Sequence, residues 1–360
     1  GPGAARARGG ATFAAYGDDQ PALWRNVSTG ELIPGLAKRH KLADMYAAEN
    51  SGIEPHVIGR IIQAFASGRN GGIGDLSAAM GGNNNFAGGY LVPESLSSRW
   101  IDALRAQSVL IQAGAQTIPV SSDNLTIARV NTDPTIAPKI ENAAFTETSL
   151  VLDAVNFYPT TIGAVIYASR ELAADAPNFA QVVETVLARK LAQVADTWGL
   201  CGVGVSTDLR GVMNLQGVTT TDASVGSIAT SQYDEVIDAI EDVKTANGTP
   251  NAIISSPATK ALYEKLRTGD GTNSSRDYLS VPEPVRSLPW LTTTGAVAGE
   301  LYTGDFRSVL IGLRQGALLE FTQEAGDTFS KHQIGVKITM RIDFNCEHAN
   351  LLAKLQGITA

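Results

Sequence analysis

DAPNFAQVVETVLARKLAQVADTWGLCGVGVSTDLRGV, residues Asp175 to Val212, is the stretch whose reading decides the fold. It predicts one long amphipathic helix, 178–198, followed by a glycine-punctuated turn. Asn178 is placed to cap the start, with Pro177 just outside and Gln181 completing a capping box. Phe179, Val183, Leu187, Leu191, Val194 and Trp198 recur at spacings of three or four, making one apolar stripe. Glu184, Thr185, Arg189, Gln193 and Asp196 are expected on the other face. At ~1.5 Å per residue, twenty residues span about 30 Å, the width of a small domain. Gly199, Gly202, Gly204 and Gly211 are expected to stop the rod, which therefore reads as a structural spine.

Working outward, the strongest strand signal lies near the C-terminus. Ile334, Val336, Ile338, Met340, Ile342 and Phe344 alternate with polar or small residues, so one face is buried and the other is not. The run is long enough to lie beside the spine. Upstream, Leu125–Val130 is expected to go out, and Leu150–Phe157 with Ile162–Tyr167 to come back, as an extended hairpin over 125–168. Its tip, Asn131–Thr146, holds Pro134, Pro138 and Lys139. A lone two-stranded ribbon is marginal in water, so a long one needs a partner surface. Tyr233–Ala246 and Pro257–Arg267 predict helices, and Asn251–Ser256, Glu300–Tyr302 and Val309–Leu313 predict strands, of a compact α/β unit. Val109–Val120 reads as a strand with a turn at Gly114, and Pro93 as the start of a helix using Leu96, Trp100 and Leu104. Residues 1–90 read as an arm, with helical pieces at Leu36–Ala48 and Pro55–Ala66 separated by glycine clusters. Such pieces must dock elsewhere to offset their ordering entropy.

The 360 residues, 44% apolar and 18% charged, exceed one ordinary core, so two or three sub-domains are expected. No apolar run reaches the ~18–20 residues of a membrane span. Gly1 to Gly10 carry two arginines and no apolar block, so no secretory leader is expected there. A start at Gly1 fits proteolytic maturation, an expression remnant or a trimmed record. The net charge of −8 divides into +1 over residues 1–90 and −9 over the rest. An acidic body excludes a sequence-specific nucleic-acid reader. Among basic arm residues, Arg6, Arg8, Lys38, Arg39 and Lys41 read from charge alone as a solvated face. Cys201 and Cys346, without any CxxC, read as buried free thiols.

Catalytic signatures are poor. Gly202-Val203-Gly204 ends a helix rather than opening one, so it reads as a turn and not a phosphate cradle. No GxSxG, HExxH, Walker lysine or DxDxDG pattern occurs, and no catalytic residue, cofactor or metal is expected. Cys346, Glu347 and His348 are neighbours, but adjacent strand residues face opposite ways. One sharper option is an isopeptide crosslink from Lys139 to Asn350 of another subunit, with Glu347 assisting proton transfer.

The order of parts resembles the major capsid protein of tailed bacteriophages, whose fold is shared with herpesvirus capsid floors and encapsulin shells. Four stretches carry the resemblance: Gly88-Gly89-Tyr90-Leu91-Val92-Pro93-Glu94; Asp196 to Gly204 with Leu209-Arg210-Gly211-Val212; Gly304-Asp305-Phe306 with Ile311-Gly312-Leu313-Arg314-Gln315-Gly316; and Arg341-Ile342-Asp343-Phe344 with Ala349-Asn350-Leu351-Leu352. It implies an α+β fold with an N-terminal arm (1–90), an extended loop (125–168), a peripheral domain (91–124, 169–200 and 323–360) and an axial domain (201–322). It further implies a structural, non-enzymatic subunit forming pentamers and hexamers. These would close, in the host cytoplasm, into an icosahedral virion shell around double-stranded DNA. Expected partners are other copies, DNA held non-specifically, a portal, a scaffold or maturation protease, and a decoration protein, with no membrane. The resemblance would put Arg6, Arg8, Lys38, Arg39 and Lys41 near DNA or at subunit junctions, a solvated face being the alternative. The alternatives are an encapsulin-like compartment, against which the ~90-residue arm argues, and an α/β hydrolase or transferase built on 201–322.

Overall fold

In a computed structural model of the chain, the described residues are 22–27, 30, 32–42, 102, 105–120, 125–132, 151–169, 171, 179–205, 209–223, 232–268, 277–322 and 330–359. Strands β1 (Ala22–Arg25) and β2 (Leu32–Gly35) form an antiparallel hairpin. A short helix, Val109–Ala113, precedes β3 (Gln116–Pro119). Next come β4 (Leu125–Thr132), β5 (Val151–Phe157) and β6 (Thr160–Ser169), then the spine helix Phe179–Cys201. Strand β7 (Thr219–Asp222), helix Asp234–Thr245, β8 (Ala252–Ser255), helix Pro257–Glu264, β9 (Trp290–Thr292) and β10 (Leu301–Gly304) follow. Two 14-residue strands, β11 (Val309–Thr322) and β12 (Gln333–Cys346), and β13 (Leu352–Gln356) close the chain.

These strands make a four-stranded sheet, β3-β11-β12-β6, a five-stranded sheet, β7-β13-β10-β8-β9, and two separate pairs, β1-β2 and β4-β5. The alternation read near the C-terminus holds: Val336, Ile338, Met340, Ile342, Phe344 and Cys346 are buried. They share one core cluster with Leu187, Leu191 and Leu200 of the spine. The five-stranded sheet is covered on both faces. Ile253, Leu301 and Leu355 pack with Tyr233, Val236 and Ile240, while Ala252, Ile254, Tyr302 and Leu352 join the central cluster. Ser256 caps the helix at Pro257 by accepting from the Thr259 N–H at 3.1 Å.

The spine helix forms, and Val183, Leu187, Leu191 and Trp198 of the expected stripe pack on the central cluster, but the buried face is wider than the stripe and leaves one of its members out. Val194 is exposed, whereas Ala188, Ala192, Ala195 and Asp196 are buried. Small residues replace large ones because the helix lies close to its neighbours. At Gly199 a Cβ would meet Leu110 and the Phe344 ring at 2.7 Å. Gly199 is therefore a contact point inside the helix rather than its stop, and the helix runs on to Cys201. The expected cap at Asn178 lies outside the described residues.

Three other expectations change. Val109–Ala113 is helical, and only Gln116–Pro119 is strand, because Asp196 satisfies the helix's first amides. Leu36 forms a β-bridge and is followed by a turn, so no helix begins there. The segment ranges drawn from the sequence do not follow the sheets. β6, placed in the extended loop, pairs with β12, and β11, placed in the axial range, belongs to the same sheet. β13, placed in the peripheral range, pairs with β10 and β7 of the other sheet. The stretches Pro55–Ala66 and Leu96–Trp100 lie outside the described residues.

Candidate assembly surfaces

Strand β6 lies at the edge of its sheet and alternates along its ten residues. Ile162 and Ile166 lean on the central cluster, while Val165 and Tyr167 stand outward at 55% and 60% exposure. Their cross-strand partners are Lys337 and Gly335. The spine adds Val182 and Val186, one turn apart and half exposed, beside Arg189 and Lys190. Scattered exposed apolar residues are ordinary, and the alignment of these on a long strand and a long helix makes the two faces the candidates for contact surfaces.

The β4-β5 ribbon is held at its root. Arg129 pairs with Asp153 at 2.6 Å and donates to the Glu347 carbonyl at 3.1 Å. The Asn345 amide donates to the Asn156 carbonyl (3.0 Å), and the Tyr158 N–H to the Asp343 carboxylate (2.6 Å). Leu125, Ile127, Val155 and Phe157 bury together with Ile118, Val120 and Leu310. The root thus buries apolar side chains of both ribbon strands against β3 and β11. Burial raises the pKa of Asp343 and of Glu347.

A second polar device fixes the spine. The Ser108 hydroxyl donates to Asp196 at 2.6 Å and the Val109 and Leu110 amides donate at 2.8 and 3.4 Å. Asp196 is 2% exposed, and burial outweighs these donors, raising its pKa. Sequence periodicity placed it on the wet face. The missed signal was Ser108 just ahead of an apolar pentad, a helix start whose amides need an acceptor. At the far end, the Tyr302 hydroxyl donates to Glu300 at 2.6 Å and lies 3.0 Å from Cys201 Sγ, and Lys354 pairs with Glu300 at 3.0 Å. This chain of contacts ties the spine's last residue to β10 and β13.

Of the crosslink candidates, Lys139 lies outside the described residues. Asn350 is exposed in a single 3-10 turn, Ala349–Leu351. Glu347 is half-buried and lies 3.9 Å from His348; no hydrogen bond joins it to Asn350. Both cysteines are free, and Cys346 Sγ lies 3.3 Å from the Ser308 hydroxyl. Among the described residues no three metal-ligating side chains cluster, and no helix is long and apolar enough to cross a membrane. Lys38, Arg39 and Lys41 are exposed, whereas Arg6 and Arg8 lie outside the described residues. A cavity of about 380 Å³ in the five-stranded unit is lined by Tyr233, Tyr263, Val285 and Trp290, with Lys260 and Glu264 beside them. Burial raises the Tyr263 phenol's pKa, so it stays protonated.

The sequence profile described as the phage capsid family matches residues 88–357. The chain belongs to the phage capsid family. Solved structures agree in fold. The capsid of a native GTA particle is 17% identical, covering 70% of this chain and 91% of its own, with a TM-score of 0.54. A structure from Microbacterium phage Oxtober96 is 15% identical over 69% and 90% of the two chains, with a TM-score of 0.54. One from Mycobacterium phage Adephagia is 15% identical over 70% and 91%, with a TM-score of 0.52. A comparison with curated proteins finds no match. As a capsid-family member the chain is a structural component of a virion, and its long strands and spine are the family's fold.

Proposed function

We propose that this capsid protein closes, as pentamers and hexamers, into an icosahedral shell around double-stranded DNA in the host cytoplasm. The observation that carries the reading is the open face of β6, with Val165 and Tyr167 exposed on a sheet whose other face is sealed by the spine. A surface of that kind is completed by further copies of the chain. In this reading the five-stranded unit surrounds the capsomer axis, the four-stranded sheet and spine form the periphery, and 1–90 acts as an arm. An acidic inner surface keeps packaged DNA from adhering, since phosphate binding needs clustered cations. A portal, a scaffold or maturation protease and a decoration protein would act on the assembled face. Covalent locking would join neutral Lys139 Nζ of one copy to the Asn350 side-chain carbonyl carbon of another, with Glu347 passing the amine's proton to the departing amide nitrogen, which leaves as ammonia.

Imaging of the purified chain tests this. Closed particles built of five- and sixfold capsomers are expected, and replacing residues 133–150 by an Asn-Gly turn should leave a folded subunit that forms none. Nucleic acid inside particles from infected or expressing cells separates a virion shell from a cargo compartment. Bands above the monomer on denaturing gels report the crosslink. A monomer that stays single at high concentration overturns the shell reading.

A further inference from the structure

The β1-β2 hairpin lies outside the stretch that matches the family, yet it bonds to two different sheets at once. At the end of β2, Leu36 and Thr117 of β3 exchange both amide bonds, at 2.7 and 2.9 Å. At the end of β1, Asn26 bridges Ile127 of β4, and the Val27 N–H donates to the Thr126 carbonyl at 2.9 Å. β3 is the edge of the four-stranded sheet and β4 is one strand of the ribbon, so the hairpin spans the corner where the ribbon leaves the body. Ile33, with Trp24 against it, closes the cluster formed by Ile118, Leu125, Ile127 and Phe157.

A single guanidinium locks the hairpin in place. Arg105 is 5% exposed and all five of its N–H groups are used. They donate to Thr117 Oγ1 (3.1 Å), the His40 carbonyl (2.9 Å), Asp102 (3.0 Å) and the Leu36 and Ala37 carbonyls (both 3.0 Å). Asp102 in turn accepts from the Leu42 N–H at 2.8 Å, holding residues sixty positions apart side by side. Gly35 seats the hairpin closely, since a Cβ there would meet both Trp24 Nε1 and Gln116 Oε1 at 2.7 Å.

We infer that residues 22–42 are a brace that fixes the angle between the extended ribbon and the body, and through it the curvature of the shell. The brace rests on the shell reading only for its last clause. The root contacts to Asp343, Asn345 and Glu347 hold the ribbon along β12, and the hairpin adds a second attachment on the β3 side of the corner. Bonds to both sides of the corner limit its swing, and rigid subunits make uniform shells.

Arg105→Lys tests it, because an ammonium offers three donors without the planar fork. Gly35→Val is the second variant, acting at a different contact should the first fail to fold. In the unassembled subunit, hydrogen exchange should rise roughly tenfold or more within 22–42 and at Leu125–Ile127 and Val155–Phe157. Ala252–Ser255 should be unchanged, and variant particles should lose their uniform diameter. Faster exchange in the hairpin with an unaltered ribbon root overturns the brace, as does a hairpin that neither variant loosens. A loosened root with particles of wild-type diameter overturns the link to curvature and leaves the shell reading standing. If the wild-type chain forms no particles, the shell reading fails, while exchange still decides the brace.

Discussion

Strands β8 and β10 are buried at every position, whereas β6 alternates half-buried with exposed residues along its length. The two sheets sit in one subunit and share one central cluster, through Ile254 and Tyr302 on one side and Ile338 and Ile342 on the other. The difference lies in what covers their second faces. Helix Asp234–Thr245 covers the five-stranded sheet, with Ala239 and Val243 against Ala353. No described helix covers the outer face of β6. A sheet sealed on both faces is finished within the chain, while one sealed on a single face has a surface to offer. The fold therefore separates a sheet covered on both faces within the chain from one whose edge strand keeps an open face.

The sharpest way to break this comparison is to attack the shared core, which must fail both units together. Leu187→Asp puts an unpaired charge where the spine meets β12, and should cost about 3–5 kcal/mol. Loss of the cooperative thermal transition is expected in both units. If circular dichroism showed the five-stranded unit melting separately and unchanged, the common core would be wrong.

A smaller loss is expected at the latch between the spine and Val109–Ala113. Asp196→Ala leaves the Ser108 hydroxyl and the Val109 amide buried without their acceptor, costing roughly 1–3 kcal/mol. The pH dependence has a definite sign. Burial raises the carboxyl's pKa in the folded state, so the folded chain holds this proton more tightly than the unfolded one. Its contribution is complete below the ordinary aspartate pKa and is lost as pH rises through the raised folded value. Asp196→Asn, neutral throughout, should flatten that slope in denaturant titrations run at successive pH values. An unchanged slope would show that other groups set it.

Much of this was legible in the sequence because periodicity reports burial directly. The β12 alternation and the helix at Asp234–Thr245 followed from spacing alone. The spine was found with Val183, Leu187, Leu191 and Trp198 on the core side, but Val194 and Asp196 were placed the wrong way round, since hydrophobicity weighs Val194 above Ala195 and Asp196. Packing reversed that order, because alanines permit close approach and Ser108 and Val109 supply partners for the carboxylate. β11 was cut short at Leu313 because Arg314-Gln315-Gly316 breaks the apolar run, and the pairing with β12 carries bulges there. β-pairing across more than twenty residues overrides such a local break. The brace was illegible because its logic is Arg105 reaching carbonyls some 65 to 69 residues away, which no local pattern encodes.

The smallest effect on stability should accompany the largest on assembly, at the open face of β6. Val165→Thr with Tyr167→Ser removes apolar surface already in water, so the isolated subunit should change by less than about 0.5 kcal/mol. In the shell the same atoms would lie against another copy, and because the two side chains are 55% and 60% exposed, burying the remainder contributes roughly 1.5–3 kcal/mol per contact. Repeated over every subunit, that loss raises the concentration needed for closure far above that of the wild type, as light scattering against protein concentration would record. A double variant that assembles at the wild-type threshold would mean that β6 faces solvent in the shell. The contact surface would then have to be sought along Val182 and Val186 of the spine, where the same pair of measurements applies.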